Sequence, residues 1–306
     1  MSLKLVKNKI RSIEKTRKVT KAMEAVSAVK MRKAQEQALT ARPYAVAAFG
    51  ILERLSASME GLSHPLSKER EVKSLCTVVI TSDKGLAGSL NSAVIKAALQ
   101  AITASGLLKE SVGIIAVGRK AHDFFSKRGF VILESYRNVS DAVSLDDMRA
   151  ITEKLIELYK GGVYDECLIA YTNFISTFRQ EAVVRRVLPL SIESIRNMVS
   201  GITPEKGKFA EVALDEPITV PTYTIEPSPE AVLTALIPSL INIEQYHALL
   251  EAKASEHSAR MVAMKNASDK ARDLSKELTL VFNKARQAAI TREVSEITGG
   301  IEAMAR

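Results

Sequence analysis

From about Leu249 to Ile297, small and apolar residues recur at alternating steps of four and three: Leu250, Ala254, His257, Met261, Met264, Ser268, Ala271, Ser275, Leu278, Phe282, Ala285 and Ala289. A spacing that averages 3.5 residues keeps one stripe facing a partner helix over many turns, which is the seam of a coiled coil. At about 1.5 Å per residue the helix is on the order of 70 Å long, more than a compact domain buries inside itself. Much of its length must therefore lie against a second helix or another protein.

The second helix is expected at the other end of the chain. Residues 3–40 contain no Gly or Pro and place Leu3, Val6, Ile10 and Ile13 on one face. A further apolar stripe follows at Val19, Ala22, Met23, Val26 and Val29, offset from the first, as where a coiled coil alters its winding. On this reading Val26 faces the C-terminal helix. Arg42-Pro43 is expected to end or bend the pattern, because Pro lacks the N–H and restricts the residue before it. Two terminal helices can pair only if the middle folds back. The expected architecture is α/β: a long antiparallel coiled coil of N- and C-terminal helices (1–60 and 227–306) carrying a central Rossmann-like α/β domain (72–226).

In that middle region, short apolar runs alternate with helical patterns. Strands are expected at 75–81, 111–117, 130–136 and 166–173, with helices reaching to Ala101, over 119–128 and over 145–159, so a parallel sheet follows. A fifth strand is expected over 182–190, and the Gly- and Pro-punctuated stretch 197–221 as an excursion. Cys76 and Cys167 fall in buried strands far apart, as core residues of a reducing compartment, not a disulfide or metal site.

Charge narrows the partners. The formal net charge is +8, and residues 1–42 carry twelve Lys and Arg against three Glu, a local +9, so the other 264 residues net about −1. A basic helix of this kind usually implies an acidic protein surface or nucleic acid, while charge alone fits a merely solvated helical face equally well. The stretch has no aromatic residue to stack on bases and the chain has no Trp, which favours the acidic protein and leaves a basic coiled-coil nucleic-acid-binding protein as the alternative. No apolar run reaches the roughly 18 residues a membrane span needs. The N-terminus lacks a secretory apolar core, and Glu14 and Glu24 interrupt what would otherwise resemble a basic transit segment.

Little speaks for catalysis. The loop Ser82-Asp83-Lys84-Gly85-Leu86-Ala87-Gly88-Ser89 sits where doubly wound folds bind phosphates, but it matches neither G-x-G-x-x-G nor G-x-x-x-x-G-K-[ST]. His64, His122, His247 and His257 share no ligand spacing with the cysteines or carboxylates, and His257 is expected to pack in the seam. No nucleophile, base and orienting group assemble, so no catalytic residue, cofactor or metal is expected.

Four blocks in order, NKIRSIEKTRKVTKAMEAV (8–26), SDKGLAGSLN (82–91), EAKASEHSARMVAMKNA (251–267) and NKARQAAITRE (283–293), resemble the gamma subunit of the rotary F-type ATP synthase. The resemblance implies a non-catalytic central rotor shaft inside a hexamer of alpha and beta subunits, with the globular domain at its foot beside the epsilon subunit and the membrane c-ring. It also implies that acidic loops of the catalytic subunits meet the basic N-terminal helix. It maps Met23, flanked by Lys18 and Lys21, to the neck where those loops bear. Arg260, Arg286, Gln287, Thr291 and Glu293 match family residues that contact the hexamer or influence coupling. Lys84 stands where the family usually has Arg, Ala87 where it often has Cys and Ser89 where it often has Gly. No paired-cysteine insert of the chloroplast type is present. The implied location is the cytoplasmic face of a bacterial inner membrane, in preference to the mitochondrial matrix.

Overall fold

The computed structural model describes residues 3–58, 64–141, 143–191, 226 and 228–304. The element order is α1 (Leu3–Ser58), β1 (Leu75–Ile80), α2 (Leu90–Ala104), β2 (Val112–Val117), α3 (Arg119–Lys127), β3 (Val131–Tyr136), α4 (Leu145–Lys160), β4 (Glu166–Phe174), β5 (Gln180–Leu188) and α5 (Pro229–Met304). Strand and helix alternate as the sequence predicts, and most element ends fall within a few residues of the expected ones. The whole 197–221 excursion falls within 192–225, which lies outside the described residues.

The sheet order is β3-β2-β1-β4-β5. The first four strands pair in parallel, and β5 returns antiparallel to β4. That return needs only a tight turn, in which Ser176 and Arg179 exchange backbone hydrogen bonds, whereas each parallel step needs a crossover helix. β1 and β2 are buried along their whole length, which is why they read as continuous apolar runs and not as alternating ones. β3 sits at an edge and shows mixed exposure.

Successive residues of β1 feed opposite faces. Leu75 and Val79 pack with Val94, Ala98, Ile102, Ala121 and Phe125 of α2 and α3. Cys76, Val78 and Ile80 pack with Ile151, Leu155 and Tyr159 of α4 and with Leu233, Ile237, Ile241 and Leu250 of α5. The alternation of side chains across the pleat thus builds two cores from one strand. Cys76 and Cys167, although distant in sequence, are register partners on β1 and β4. Both are buried and free, and the Cys167 thiol is held well above its ordinary pKa, first by its hydrogen bond with Cys76 and then by burial.

Both terminal helices are longer than the patterns that announce them. α1 runs through Pro43 to Ser58, and α5 starts about twenty residues before Leu249. The first part of α5 is a core helix of the sheet, with Leu233, Ile237 and Ile241 almost wholly inaccessible, so its apolar residues answer to the sheet and not to a coiled-coil partner. The chain divides into two compact units, residues 28–259 and residues 1–27 with 260–306. Within the first, the α1 residues Lys33, Glu36, Gln37 and Thr40 line a cleft with Ile243 and Tyr246 of α5, whereas Lys30 and His257 meet at Asp141. As numbering rises along α1 it falls along α5, so the helices are antiparallel.

Candidate functional site

In the unit formed by residues 1–27 and 260–306, α1 and α5 are joined by small polar contacts. The Ser275 hydroxyl donates to Glu14 Oε1 at 3.0 Å. This register places Ile13, Arg17, Thr20, Glu24 and Ser27 of α1 along the seam. Val6, Thr20 and Ser27 are buried, as are Met264, Ser268 and Ser275 on α5. From Met261 to Ala285 the α5 stripe read from sequence is therefore the seam, with Met261, Ala271, Leu278, Phe282 and Ala285 partly buried, whereas Leu250 packs in the sheet core and His257 meets Asp141. The Thr20 hydroxyl donates back to the Arg17 carbonyl at 3.0 Å, which satisfies it inside the interface.

The expected second stripe on α1 is not the seam. Val19, Val26 and Val29 are 58%, 55% and 68% exposed, and Ala22 is exposed as well. There is no change of phase: the first stripe continues in steps of four and three through Val6, Ile10, Ile13, Arg17, Thr20, Glu24 and Ser27. Hydrophobicity pointed to the wrong face because Arg17, Thr20, Glu24 and Ser27 hold much of the inner one and carry no apolar period. The valines instead form an outward stripe among lysines.

The register also shows where pairing stops. Counting from Glu14 and Ser275, Leu3 comes opposite a residue near Ala285, so the rest of α5 lies beyond the described start of α1. Residues 290–298 are exposed almost throughout. Ile290, Val294, Ile297 and Ile301 recur on one face and are 52–64% exposed. An unpartnered apolar stripe on a helix end marks a surface meant for another molecule.

The site residues fall into separate places. Met23 is half-buried, and Lys18 and Lys21 are exposed, with the Lys21 ammonium 3.1 Å from Glu24 one turn on. Arg286, Gln287, Thr291 and Glu293 are exposed on the unpaired end of α5. The Thr291 hydroxyl donates to the Gln287 backbone carbonyl at 3.0 Å, one turn back in the same helix. On the seam register Met23 and Arg286 stand about 30 Å apart along the helices. Arg260 is buried, so it does not share the exposed face of the others.

In the other unit, Lys84 is exposed in the loop between β1 and α2. That loop is organised by its own side chains. Ser82 N–H donates to Asn91 Oδ1 at 2.9 Å, and Asp83 Oδ1 accepts from the Arg119 N–H at the start of α3 at 2.9 Å. The Ser82 and Arg119 N–H groups are thus engaged within the protein. Leu86 is held at a φ of 64° and is 64% exposed, an arrangement a bulky residue adopts only when the surrounding turn imposes it. Lys84 and Leu86 together present a cation and an apolar tip. Among the described residues there is no cluster of three or more His, Cys, Asp or Glu able to hold a metal ion, and no helix is long and apolar enough to cross a membrane.

His257 is more than a packing residue. It is almost fully buried, and its Nε2 lies 3.0 Å from Asp141 Oδ1. The inner face of α5 also buries Glu244 and Glu251 against the sheet. Burial pushes both carboxyls up to about 8, against the nearby Arg185 charge and, for Glu251, a hydrogen bond from Tyr171. Glu251 Oε1 is also 3.5 Å from His247 Nδ1. The visible signal for these acids in the sequence is a carboxylate placed amid a long apolar pattern.

A family model described as ATP synthase matches residues 2–304. The ATP synthase gamma chain of Heliobacterium modesticaldum is 41% identical over 299 residues, which cover 98% of this chain and 98% of that one. The ATP synthase gamma chain of Pelotomaculum thermopropionicum is 41% identical over 303 residues, covering 99% of each. Among solved structures, a chain of the Euglena gracilis mitochondrial ATP synthase, OSCP/F1/c-ring, in rotational state 3, superposes with a TM-score of 0.65 at 19% identity, covering 99% of this chain and 94% of that one. A chain of the Tetrahymena thermophila mitochondrial ATP synthase central stalk and c-ring gives 0.58 at 24% identity, covering 82% and 99%. The solved structures share the fold, and the end-to-end matches in sequence decide the family: this chain belongs to the ATP synthase gamma chains.

Proposed function

We propose that the chain is the central shaft of a proton-translocating rotary ATP synthase, itself without an active site, turning inside a hexamer of alpha and beta subunits that carries out ATP synthesis and hydrolysis. One observation supports this reading most directly. The end of α5 carries Ile290, Val294, Ile297 and Ile301 as an exposed stripe where α1 no longer accompanies it, beside the polar Arg286, Gln287, Thr291 and Glu293. A ring of subunits that encloses the helix would cover the stripe and meet those polar side chains. Fully burying one such aliphatic side chain is worth about 1.5–3 kcal/mol.

On this reading the shaft acts through its asymmetry. Its two helices present different faces around the circumference, so each catalytic subunit meets a different surface at a given angle. A state that gains contacts at that angle becomes more populated, and rotation moves the preference from subunit to subunit. Met23, Lys18 and Lys21 would bear on acidic loops of the catalytic subunits, the outward Val19 and Val26 lying alongside them. Arg286, Gln287, Thr291 and Glu293 would bear nearer the shaft end, and Arg260, buried on the other side of the Met23 level, would hold α5 in place. Lys84 would supply a contact from the α/β domain. The epsilon subunit and the membrane ring would hold the foot, making the chain peripheral on the cytoplasmic face of a bacterial inner membrane.

The test is to purify the chain from its native membrane. Recovery in a complex with three copies each of two larger subunits, together with ATP-driven proton pumping in vesicles, is expected. A chain recovered free of them that binds DNA with a steep salt dependence would overturn the reading in favour of the nucleic-acid alternative.

A further inference from the structure

Asp141 lies between β3 and α4, in the compact unit of residues 28–259. Its Oδ2 accepts a hydrogen bond from Lys30 Nζ of α1 at 2.7 Å. Its Oδ1 lies 3.0 Å from His257 Nε2 and 3.7 Å from Lys253 Nζ, both on α5 and one turn apart. Lys253 Nζ also donates to the Val139 carbonyl at 2.8 Å, so the same loop is gripped twice. Burial works to raise the Asp141 pKa but is outweighed, first by the Lys30 hydrogen bond and then by the His257 and Lys253 charges, which hold it at about 2. The carboxylate is ionised at any working pH.

We propose that Asp141 is a positioning residue that fastens both terminal helices to the α/β domain at one carboxylate, so that load on that domain reaches α1 and α5 together. The inference rests on the shaft reading above and adds to it the place where the domain grips the helices. α5 has other ties to the domain: Ser255 Oγ donates to the Thr172 carbonyl at 3.2 Å, Ser258 Oγ to the Thr177 carbonyl at 2.6 Å and Asn242 Nδ2 to the Leu145 carbonyl at 3.2 Å. Losing Asp141 leaves those in place and removes the charged link to α1. Apolar packing tolerates sliding between helices, whereas a charge-assisted hydrogen bond fixes distance and direction. At the Lys30 end the side chains are 45% and 38% exposed, so this pair contributes little to stability and much to register.

The experiment uses the assembled complex in inverted membrane vesicles, comparing Asp141→Asn, Lys30→Gln, the double variant and Asp141→Glu. Protons pumped per ATP hydrolysed should fall about two- to threefold in each single variant, the scale of one charge-assisted contact at a half-exposed site. The ATPase rate should stay within about twofold of the parent, because the tie lies outside the catalytic subunits. The double variant should be no worse than Asp141→Asn, since both remove one interaction, and Asp141→Glu should recover part of the loss. Lys30→Gln leaves the buried His257 and Lys253 pairs intact, so it carries the test if Asp141→Asn does not assemble. Unchanged pumping per ATP in Lys30→Gln, or losses that multiply in the double variant, would overturn the inference. If the parental complex does not couple ATP to protons, the shaft reading falls and takes this inference with it. Normal coupling in the parent and in both single variants would sink the inference alone.

Discussion

The Ser275 hydroxyl on α5 reaches Glu14 on α1 at 3.0 Å, a hydrogen bond between side chains 261 residues apart in sequence. It sets the pairing of the two helices, and from it the neighbours of every other seam position follow.

Buried Thr20 comes opposite Ser268, which is also buried. The double variant Thr20→Cys with Ser268→Cys should form an intramolecular disulfide under mild oxidation, because facing seam positions approach the roughly 4.4–6.8 Å Cα separation that the bond needs. Val26→Cys paired with Met264→Cys, the seam residue at its own level, should stay reduced, since Val26 is 55% exposed on the outer face. Efficient crosslinking at position 26 in place of 20 would refute this register.

Glu244 and Glu251 give the α/β unit a particular pH response. Their folded pKa values of about 8 exceed the unfolded value of 4.5, so between the two the folded state holds protons that the unfolded state has released. Stability contributed by the two neutral carboxyls is complete below about pH 4.5 and is lost as pH rises toward 8. The limiting slope is about 1.4 kcal/mol per pH unit for each group. The groups facing Glu251 are Tyr171, Arg185 and His247, and Arg185 also acts on Glu244. Thermal melts from pH 5 to 8.5 should show the parent losing more stability than Glu244→Gln with Glu251→Gln. Parallel curves would mean the carboxyls are charged in the folded state.

Arg286 and Gln287 are exposed on the unpaired end of α5. Arg286→Ala with Gln287→Ala should leave the melt of the isolated chain unchanged within the roughly 0.5 kcal/mol typical of surface substitutions. In the assembled head the same change should lower multi-site ATPase turnover about tenfold or more, because it removes contacts worth about 1–3 kcal/mol each. A drop in melting temperature would assign these side chains to the fold, and normal turnover would remove them from coupling.

Met23 is half-buried beside exposed Lys21. Met23→Lys adds a cation where acidic loops are proposed to bear, and should preserve ATP hydrolysis while lowering protons pumped per ATP. Pumping efficiency equal to the parent's would count against a bearing role.

The α/β layer was legible in the sequence because its signals are local. Apolar runs such as 75–80 are buried on both faces, and the glycines at 118 and 129 stand at turns with positive φ. At Gly118 a side chain would meet the Thr81 carbonyl oxygen at 2.1 Å, so the residue choice and the turn are one fact. The direction of β5 was not legible, since alternation says nothing of pairing partner. The α5 stripe could be read because Met264, Leu278 and Phe282 punctuate it, but the facing stripe on α1 holds Arg17, Thr20, Glu24 and Ser27, and no apolar period marks it. Among the candidate site residues, the family blocks carried the positions, and only the structure separates exposed Arg286 from buried Arg260. Asp141 carries no signal in the sequence because its partners come from residues 30, 253 and 257, which only the fold assembles.

The overrun of α5 past the start of α1 has a mechanical meaning. Two helices locked side by side resist bending far more than one, because stiffness rises steeply with the width of the cross-section. From about Ala285 to Met304 no described residue of α1 accompanies α5, so bending would concentrate there and spare the paired segment. An enclosing ring of subunits whose bore shifts during a cycle would therefore deflect the tip without disturbing the seam. Inside such a ring the apolar stripe at Ile290, Val294, Ile297 and Ile301 would work as a greased journal: non-directional contact would let the tip turn and lean, where hydrogen bonds would seize it.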